Sequence, residues 1–203
     1  KSSVLYIGCD LNNMKTKIKK TNNTPIILWN HRWEYDKNPE DFFHVLYKIK
    51  DKGLEFKVVV LGKKYSEYPS IFDEAKIKLS SEILYFGFCE SHKEYVSWLN
   101  KADIIAVTSN QDFFGISIVE AIHMNNFPIL PKRLSYRELL DDKKNPQIFY
   151  RTNKELYSIL LNCIINYKDL RKSTIKYRKL VNRFDWCNII KEYDEKFEFI
   201  YNN

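Results

Sequence analysis

Residues 104–121 have the sequence IIAVTSNQDFFGISIVEA, and this strand–loop–helix unit decides the fold of the chain. The apolar, β-branched run at 104–107 predicts a buried parallel strand, and the apolar period of residues 115–124 predicts a helix. Two carboxylates, Asp112 and Glu120, lie on either side of the junction between loop and helix. Because the first turn of a helix leaves backbone N–H groups unpaired and partly positive, we expect a ligand to bind at this junction.

Glu120 is unusual in this helix, because the other residues between 118 and 122 are all apolar. An ionised carboxylate among apolar groups is costly unless hydrogen-bond donors surround it, and a diol such as a ribose supplies such donors. The backbone amides of Phe113, Phe114 and Gly115 precede the helix and are candidates to bind a phosphate or a sugar hydroxyl group. The alternative interpretation is a helix with one solvent-facing Glu and an Asp in a turn.

The composition indicates one soluble globular domain. The chain has 203 residues, and the hydrophobic 44% of them suffice for one sizeable core. No apolar run approaches the ~20 residues needed to cross a bilayer, so we expect no membrane span. The histidines have no metal-ligand spacing and the four cysteines lie far apart, at 9, 89, 163 and 187. This argues against a bound structural metal and fits a reduced, cytoplasmic protein.

The net charge of +7 leaves two interpretations open. Lys, Asn, Ile, Tyr and Phe are all abundant, and an AT-rich genome produces that balance without a functional cause. In the other interpretation, the basic residues between 168 and 183 bind RNA and the chain is a non-catalytic binding module. On a helix these residues spread around much of the circumference, which is more typical of a solvated face.

Strand and helix patterns alternate along the chain. This alternation predicts an α/β, Rossmann-like fold, in which a parallel sheet carries helices on both faces and ligands bind at the carboxyl ends of the strands. Short apolar runs predict strands over 26–29, 56–61, 83–86, 104–107, 128–130 and 147–150. Caps and apolar periods predict helices over 39–52, 67–79, 91–100, 115–124, 135–140, 154–166, 168–183 and 186–201.

Two basic residues follow the first strand of this alternation. Arg32 and Lys37 lie in the loop between that strand and a helix that starts at Pro39. Arg grips a phosphate with two parallel hydrogen bonds and Lys adds a mobile charge, so the pair has the chemistry to neutralise a diphosphate. Two basic residues in one loop are also common without any function. His31 has two interpretations as well, a phosphate contact or a residue that caps the strand. We interpret four other ring-bearing residues as packing groups: Trp29, Trp33, Phe113 and His123.

The combined spacing of the basic and acidic pairs is more specific than either pair alone. Four residues separate Arg32 from Lys37, and about eighty residues after Arg32 comes Asp112, which seven residues separate from Glu120. This pattern resembles the donor site of retaining family-4 glycosyltransferases with the GT-B fold. The resemblance implies that Arg32 and Lys37 bind the donor diphosphate, that Asp112 contacts the transferred sugar, and that Glu120 contacts the ribose.

The same resemblance implies further roles. Arg32, Lys37 and Asp112 would act in catalysis, and no metal ion or cofactor besides the nucleotide-sugar donor is implied. Gly62 resembles one of the family's two glycine turns. The other turn and the helix start would contribute the remaining donor contacts: Gly87, Phe88, Phe113, Phe114, Gly115 and Ile116.

Two stretches, 27–39 and 128–136, resemble the tRNA-queuosine mannosyltransferase subgroup of this family. This closer resemblance implies transfer of a hexose, mannose from GDP-mannose, with retained configuration and with queuosine in tRNA as the acceptor. Two residues depart from the family pattern. Asp112 is one methylene shorter than the usual Glu, and Asn125 stands where a Gly usually ends the helix, although Asn tolerates the left-handed conformation needed there.

The resemblance divides the chain into three parts. Residues 1–24 are expected to hold the last strand of an N-terminal domain, at 4–9, and a polar linker. Residues 25–184 form the nucleotide-sugar-binding domain, and residues 185–203 form a helix that packs back toward the N-terminal domain. Because the acceptor site belongs to that missing domain, we expect a piece of a longer protein that is inactive as a transferase by itself. A nucleotide-sugar epimerase is the alternative enzyme class on this architecture, and it does not need the basic pair.

Overall fold

The structure is a computed structural model that describes residues 4–14 and 22–202. Its centre is one sheet of six strands in the order β3-β2-β1-β4-β5-β6. Every recorded pairing between neighbouring strands is parallel, so the predicted α/β class is confirmed. The strands are β1 (Ile26–Asn30), β2 (Lys57–Leu61), β3 (Ile83–Gly87), β4 (Ile104–Ala106), β5 (Phe127–Pro131) and β6 (Phe149–Tyr150).

Helices follow the strands as the alternation predicts. They are α1 (Pro39–Asp51), α2 (Ile71–Lys78), α3 (His92–Lys101), α4 (Ile116–His123), α5 (Tyr136–Leu139), α6 (Asn153–Ile165), α7 (Tyr167–Val181) and α8 (Trp186–Asn202). Most boundaries lie within two residues of the predicted ones, and a proline explains the shifted starts of one helix and one strand. Pro69 disfavours a helical conformation at the residue before it, so α2 starts at Ile71 and not at 67. Pro146 begins a 3₁₀ turn that shortens the predicted last strand.

All strands except the partly exposed edge strand β3 are almost completely buried, as expected when helices cover both sides of a parallel sheet. Aromatic rings fill much of the layer between β1 and the neighbouring helices. Trp29 is fully buried, and Trp33 stacks on Phe72 with ring centroids 4.3 Å apart. Both tryptophans are therefore packing groups, as predicted. His123 is also buried and contacts the side-chain oxygen of Asn182 at 2.9 Å, which fits its predicted place in the core.

Residues 4–9 form no extended strand within this chain, and their expected place as the last strand of an N-terminal domain stays a prediction. They form only an isolated parallel bridge between Cys9 and Asp185. The Cys9 amide donates to the Phe184 carbonyl at 2.7 Å, and the Trp186 amide donates to the Cys9 carbonyl at 2.9 Å. The segment therefore pairs with the start of α8 and is not a strand of the sheet. Leu11 is fully buried, so the first part of the predicted linker packs against the domain, whereas residues 15–21 lie outside the described residues.

Candidate functional site

A cleft of about 760 Å³ opens at the carboxyl ends of β1, β2 and β3. Arg32, Lys37 and Asp112 all line it, so the structure brings together three of the four residues of the combined motif. The predicted donor contacts Phe88, Phe113, Phe114, Gly115 and Ile116 also line the cleft. Two predicted site residues, Gly87 and Glu120, are not part of its wall.

Lys37 is held in place by the loop that follows β4. It ends a 3₁₀ turn, and its side chain is only 9% exposed. The side-chain nitrogen lies 2.9 Å from the Asp36 carboxylate and donates to the backbone carbonyl of Gln111 at 2.6 Å. The Thr108 hydroxyl donates to the carbonyl of Lys37 at 3.0 Å, and the Asn110 amide donates to that of Asp36 at 2.7 Å. These bonds fix the basic motif against the acidic one.

Arg32 is the exposed member of the basic pair. Its guanidinium forms an ion pair with Glu34 at 3.0 Å, and the side chain remains 57% exposed. A surface ion pair of this kind contributes little stability, so it is easily exchanged for a ligand phosphate. The pair therefore combines one fixed and one adaptable positive charge.

Asp112 is oriented by α5. The hydroxyl of Tyr136 donates to its carboxylate at 2.8 Å, and the ring of Tyr136 is fully buried. Burial and the nearby Asp112 charge both raise the pKa of the Tyr136 phenol, so this group stays protonated and remains a donor. Its hydrogen bond leaves Asp112 acceptor capacity for a sugar hydroxyl at the cleft.

The loop before α4 presents its backbone to the cleft. Gly115 has a φ of 91°, and a Cβ there would lie 3.1 Å from the ring of Tyr136, so the turn favours glycine. Within the described ranges, no acceptor is recorded for the amides of Phe113, Phe114 and Gly115. They remain available to a ligand.

The interpretation of Phe113 as a packing residue is wrong. Its side chain is 90% exposed, whereas the next residue, Phe114, is buried against Phe184 at 5.0 Å between ring centroids. Adjacent residues in a loop point in different directions, and only Phe114 faces the core. Sequence alone gave no means to tell which of two successive phenylalanines turns inward.

Glu120 lies behind the wall of the cleft. Its carboxylate accepts a hydrogen bond of 2.5 Å from the hydroxyl of Tyr95, and Tyr95 itself lines the cleft. Burial raises the pKa of Glu120, and the Tyr95 hydrogen bond together with the charge of His92 opposes that change. The alternative of a simple solvent-facing Glu does not describe this paired, largely enclosed carboxylate. The sequence did not predict a role for Tyr95. The one indication was a tyrosine, with its polar hydroxyl, on the inward-facing side of α3.

His31 forms part of the cleft wall between the two motifs. It is buried, and its ring lies edge-on to Trp29 with centroids 5.0 Å apart. Burial lowers its pKa to about 4, so the imidazole is neutral at pH 7. Its Nε2 atom has no hydrogen-bond partner in the part of the chain that the structure describes.

The two glycine turns shape the opposite side of the cleft. Gly62 has a φ of 138°, and a Cβ there would clash with the backbone oxygen of His31. Its amide donates to the carbonyl of Gly87 at 3.0 Å, which joins the two turns. Phe88 comes next, with 58% of its surface exposed. The Tyr85 hydroxyl donates a hydrogen bond to the backbone carbonyl of Phe88 at 2.8 Å. Gly87 is therefore outside the cleft wall, and it supports that wall through its hydrogen bond to Gly62.

The other surfaces offer less evidence for a ligand. The basic helix α7 packs against α4 and β5 through buried residues, and Arg171 contacts the buried carboxylate of Asp103 at 2.8 Å. The positive charge of Arg171 therefore serves to pair a buried carboxylate inside the domain. Within the described residues, no group of three or more His, Cys, Asp or Glu side chains is arranged to hold a metal ion. None of the helices described has the length and apolar character that crossing a bilayer needs.

Comparison with known proteins identifies the family of the chain. Residues 11–181 match the family model "Glycosyl transferases group 1". A tRNA-queuosine alpha-mannosyltransferase from Drosophila melanogaster is 32% identical over 169 residues, which are 82% of this chain and 44% of that protein. A probable sucrose-phosphate synthase from Thermosipho melanesiensis is 27% identical over 178 residues, 86% of this chain and 41% of that protein. The chain thus spans less than half the length of these curated relatives.

Solved structures share the fold. Anabaena Alr3699/HepE in complex with UDP superimposes with a TM-score of 0.78 at 19% identity, over 97% of this chain and 57% of that one. The C-terminal domain of the group 1 glycosyl transferase LpcC from Francisella tularensis gives a TM-score of 0.70 at 18% identity, over 86% of this chain and 97% of that one. Since the family model covers most of its length and the architecture is that of a GT-B transferase domain, the chain belongs to the glycosyl transferases group 1 family.

Proposed function

We propose that the chain is the donor-binding half of a retaining transferase that moves mannose from GDP-mannose to queuosine in tRNA. The observation that carries the proposal is that Arg32, Lys37 and Asp112 line one cleft at the carboxyl ends of parallel strands. The name of the Drosophila relative supports mannose as the sugar and tRNA as the acceptor. A tRNA acceptor implies a cytoplasmic location.

The two cations supply positive charge where the departing nucleoside diphosphate gains negative charge. Lys37 is already fixed by Asp36 and Gln111, so it needs little reorganisation when the sugar–phosphate bond breaks. Arg32 adds a planar donor group that matches phosphate oxygens. Interactions that strengthen as the bond breaks accelerate the reaction more than they tighten donor binding. Replacing either cation should therefore lower turnover more than donor affinity.

The identity of the base is the first point to test. Alr3699/HepE was solved with UDP and with UDP-glucose, but at 19% identity this likeness supports the fold alone. In our proposal guanine lies near the Gly87-Phe88 turn, where the exposed Phe88 offers an aromatic face.

Calorimetric titration of the chain with GDP, UDP, GDP-mannose and UDP-glucose tests the donor. We expect the guanine nucleotides to bind more tightly than the uracil nucleotides, and Arg32→Ala to weaken binding of every diphosphate. Lys179→Ala is the matched control, because it also removes one positive charge but lies exposed on α7, away from the cleft. Tighter binding of UDP-glucose would overturn the GDP-mannose assignment. Equal affinity of wild type and Arg32→Ala would overturn the diphosphate site.

Tests of the proposed acceptor and of the proposed second domain require the whole protein. Helix α8 exposes apolar residues, among them Phe197 and Ile200, which supports the proposal that it packs against a preceding domain. We expect the full protein to transfer labelled mannose to queuosine-containing tRNA, and the 203-residue chain alone to transfer none. Transfer by the isolated chain would contradict the need for that domain, and transfer to tRNA lacking queuosine would contradict the acceptor.

A further inference from the structure

Tyr95 is the residue of the cleft wall that contacts the carboxylate assigned by the family pattern to the ribose. Tyr95 lines the cleft and Glu120 does not, although the two side chains are joined by a hydrogen bond of 2.5 Å. Glu120 is on α4 and Tyr95 is on α3, so this bond ties together two helices that flank the cleft. The motif that contains Glu120 is therefore incomplete without a residue from a different helix.

The hydrogen bonds around Tyr95 fix the direction of its proton. Nδ2 of Asn30 donates to the Tyr95 oxygen at 2.9 Å and to the backbone carbonyl of Ser117 at 3.2 Å. A carbonyl oxygen only accepts, so the Ser117 contact orients the Asn30 amide with its nitrogen toward both partners. The Tyr95 oxygen thus accepts a hydrogen bond from Asn30, and the Tyr95 hydroxyl donates its own hydrogen bond to Glu120. The Ser117 hydroxyl donates to the backbone carbonyl of Asn30 at 2.9 Å, which adds a second contact between these two residues.

This network occupies only one of the Glu120 oxygens. Tyr95 donates to Oε2, and among the described residues no donor to Oε1 is recorded. An ionised carboxylate that is largely buried requires further donors, and a vicinal diol presents two hydroxyl groups at a suitable spacing. The unoccupied oxygen is where such a diol would bind.

We propose that Tyr95 is a positioning residue for ribose recognition, because its hydroxyl, oriented by Asn30, holds one carboxylate oxygen of Glu120 and leaves the other for the ribose diol. The inference rests on the proposed nucleotide-binding function and adds residues from β1 and α3 to it. Besides Tyr95, the titratable groups that act on Glu120 are His92 on α3, and Cys9, whose own pKa the Glu120 charge raises. His92 opposes the effect of burial on Glu120, as Tyr95 does.

The test compares GDP with its 2′,3′-dideoxy analogue, in wild type and in Tyr95→Phe. Phe keeps the ring and removes only the hydroxyl, so the fold should persist. In wild type we expect GDP to bind at least about tenfold more tightly than the analogue, the value of a hydrogen bond to a charged group. At pH 7 we expect that preference to be clearly smaller in Tyr95→Phe but still above one, with the affinity for the analogue unchanged.

A pH series separates positioning from a structural role. Diol binding requires ionised Glu120, so GDP affinity falls as the pH drops through the Glu120 pKa. Without the Tyr95 hydrogen bond that pKa is higher, and the fall should begin at a higher pH in Tyr95→Phe than in wild type. Glu120→Gln should keep only a weak diol preference, because its amide oxygen is an uncharged acceptor, and it should lack this pH dependence, because an amide does not ionise in this range.

Tyr150→Phe is the matched control. It also loses a buried phenol hydroxyl, which donates to the Val107 carbonyl at 2.7 Å, but Tyr150 is not part of the cleft wall. We expect lower stability and an unchanged preference for GDP. An unchanged preference in Tyr95→Phe as well would overturn the inference while leaving nucleotide binding intact. Failure of wild type to bind GDP or UDP would instead overturn the proposed function, and the inference with it.

Discussion

The side-chain nitrogen of Lys37 donates to the backbone carbonyl oxygen of Gln111 across 2.6 Å, and this contact joins the loop after β1 to the loop after β4. Residues that are 74 positions apart in the chain thereby become one wall of the cleft. Parallel strands make this possible, because their carboxyl ends lie at the same edge of the sheet. The basic and acidic motifs depend on each other for their position.

Lys37→Met should therefore destabilise the fold as well as impair the site. The change removes the donor to Gln111 and leaves Asp36 without its partner at 2.9 Å, which should cost about 1–3 kcal/mol. Urea unfolding measures this loss. Arg32→Ala is the control, since its surface ion pair should contribute little. An equal loss in both variants would contradict a structural role for Lys37.

Gly62→Ala should be poorly tolerated. The added Cβ would clash with the backbone oxygen of His31, at a residue whose φ of 138° already favours glycine. Overpacking and backbone strain together should cost about 3 kcal/mol or more. At Gly53, where φ is 74° and the space is open, Ala should cost only about 1 kcal/mol. Similar urea midpoints for the two variants would refute the predicted clash.

The stability of the wild type should depend on pH through His31. Burial lowers the pKa of His31 to about 4, whereas an unfolded His titrates near 6.5, so the unfolded chain binds more protons between these values. Stability is therefore lost as the pH falls through this range, by about 2 kcal/mol between pH 7 and pH 5. His31→Gln should lack this contribution. The measurement is the pH dependence of the unfolding free energy in the two proteins; parallel curves would show that His31 is not the cause.

Tyr136→Phe should affect the sugar and spare the nucleotide. Its hydroxyl orients Asp112 at 2.8 Å, and Asp112 is the residue assigned to the transferred sugar. We expect GDP-mannose affinity to fall about fivefold to tenfold, the value of one hydrogen bond, and GDP affinity to stay constant. Calorimetry with both ligands checks this. A matching decrease for GDP would indicate that Asp112 acts on the nucleotide.

The fold was accessible from sequence because strand and helix periods, caps and prolines are local signals. The Ser91 cap of α3 and the Asn38 cap of α1 both accept the hydrogen bonds that their positions predict, from Glu94 and Asp41. The segment at 4–9 has the same apolar character as a strand. Its partner is the chain near Asp185, which is remote in sequence, so no local signal distinguishes the two outcomes.

The site was accessible only in part, and for a related reason. The resemblance supplied residues that have a fixed spacing along the chain, and three of these four line the cleft. Tyr95 has no such spacing to Glu120, because their contact depends on how α3 packs beside α4. The exposure of Phe113 likewise depends on the course of a loop that no periodic pattern describes.

The bonds from Thr108 and Asn110 to the Lys37 loop have a thermodynamic consequence. Since the two loops are joined before any ligand arrives, association should freeze few backbone torsions and carry only a small conformational-entropy penalty at this wall. The selectivity of the site would then reside in the shape it has before binding, and exchange of the Asn110 amide should already be slow in the free protein.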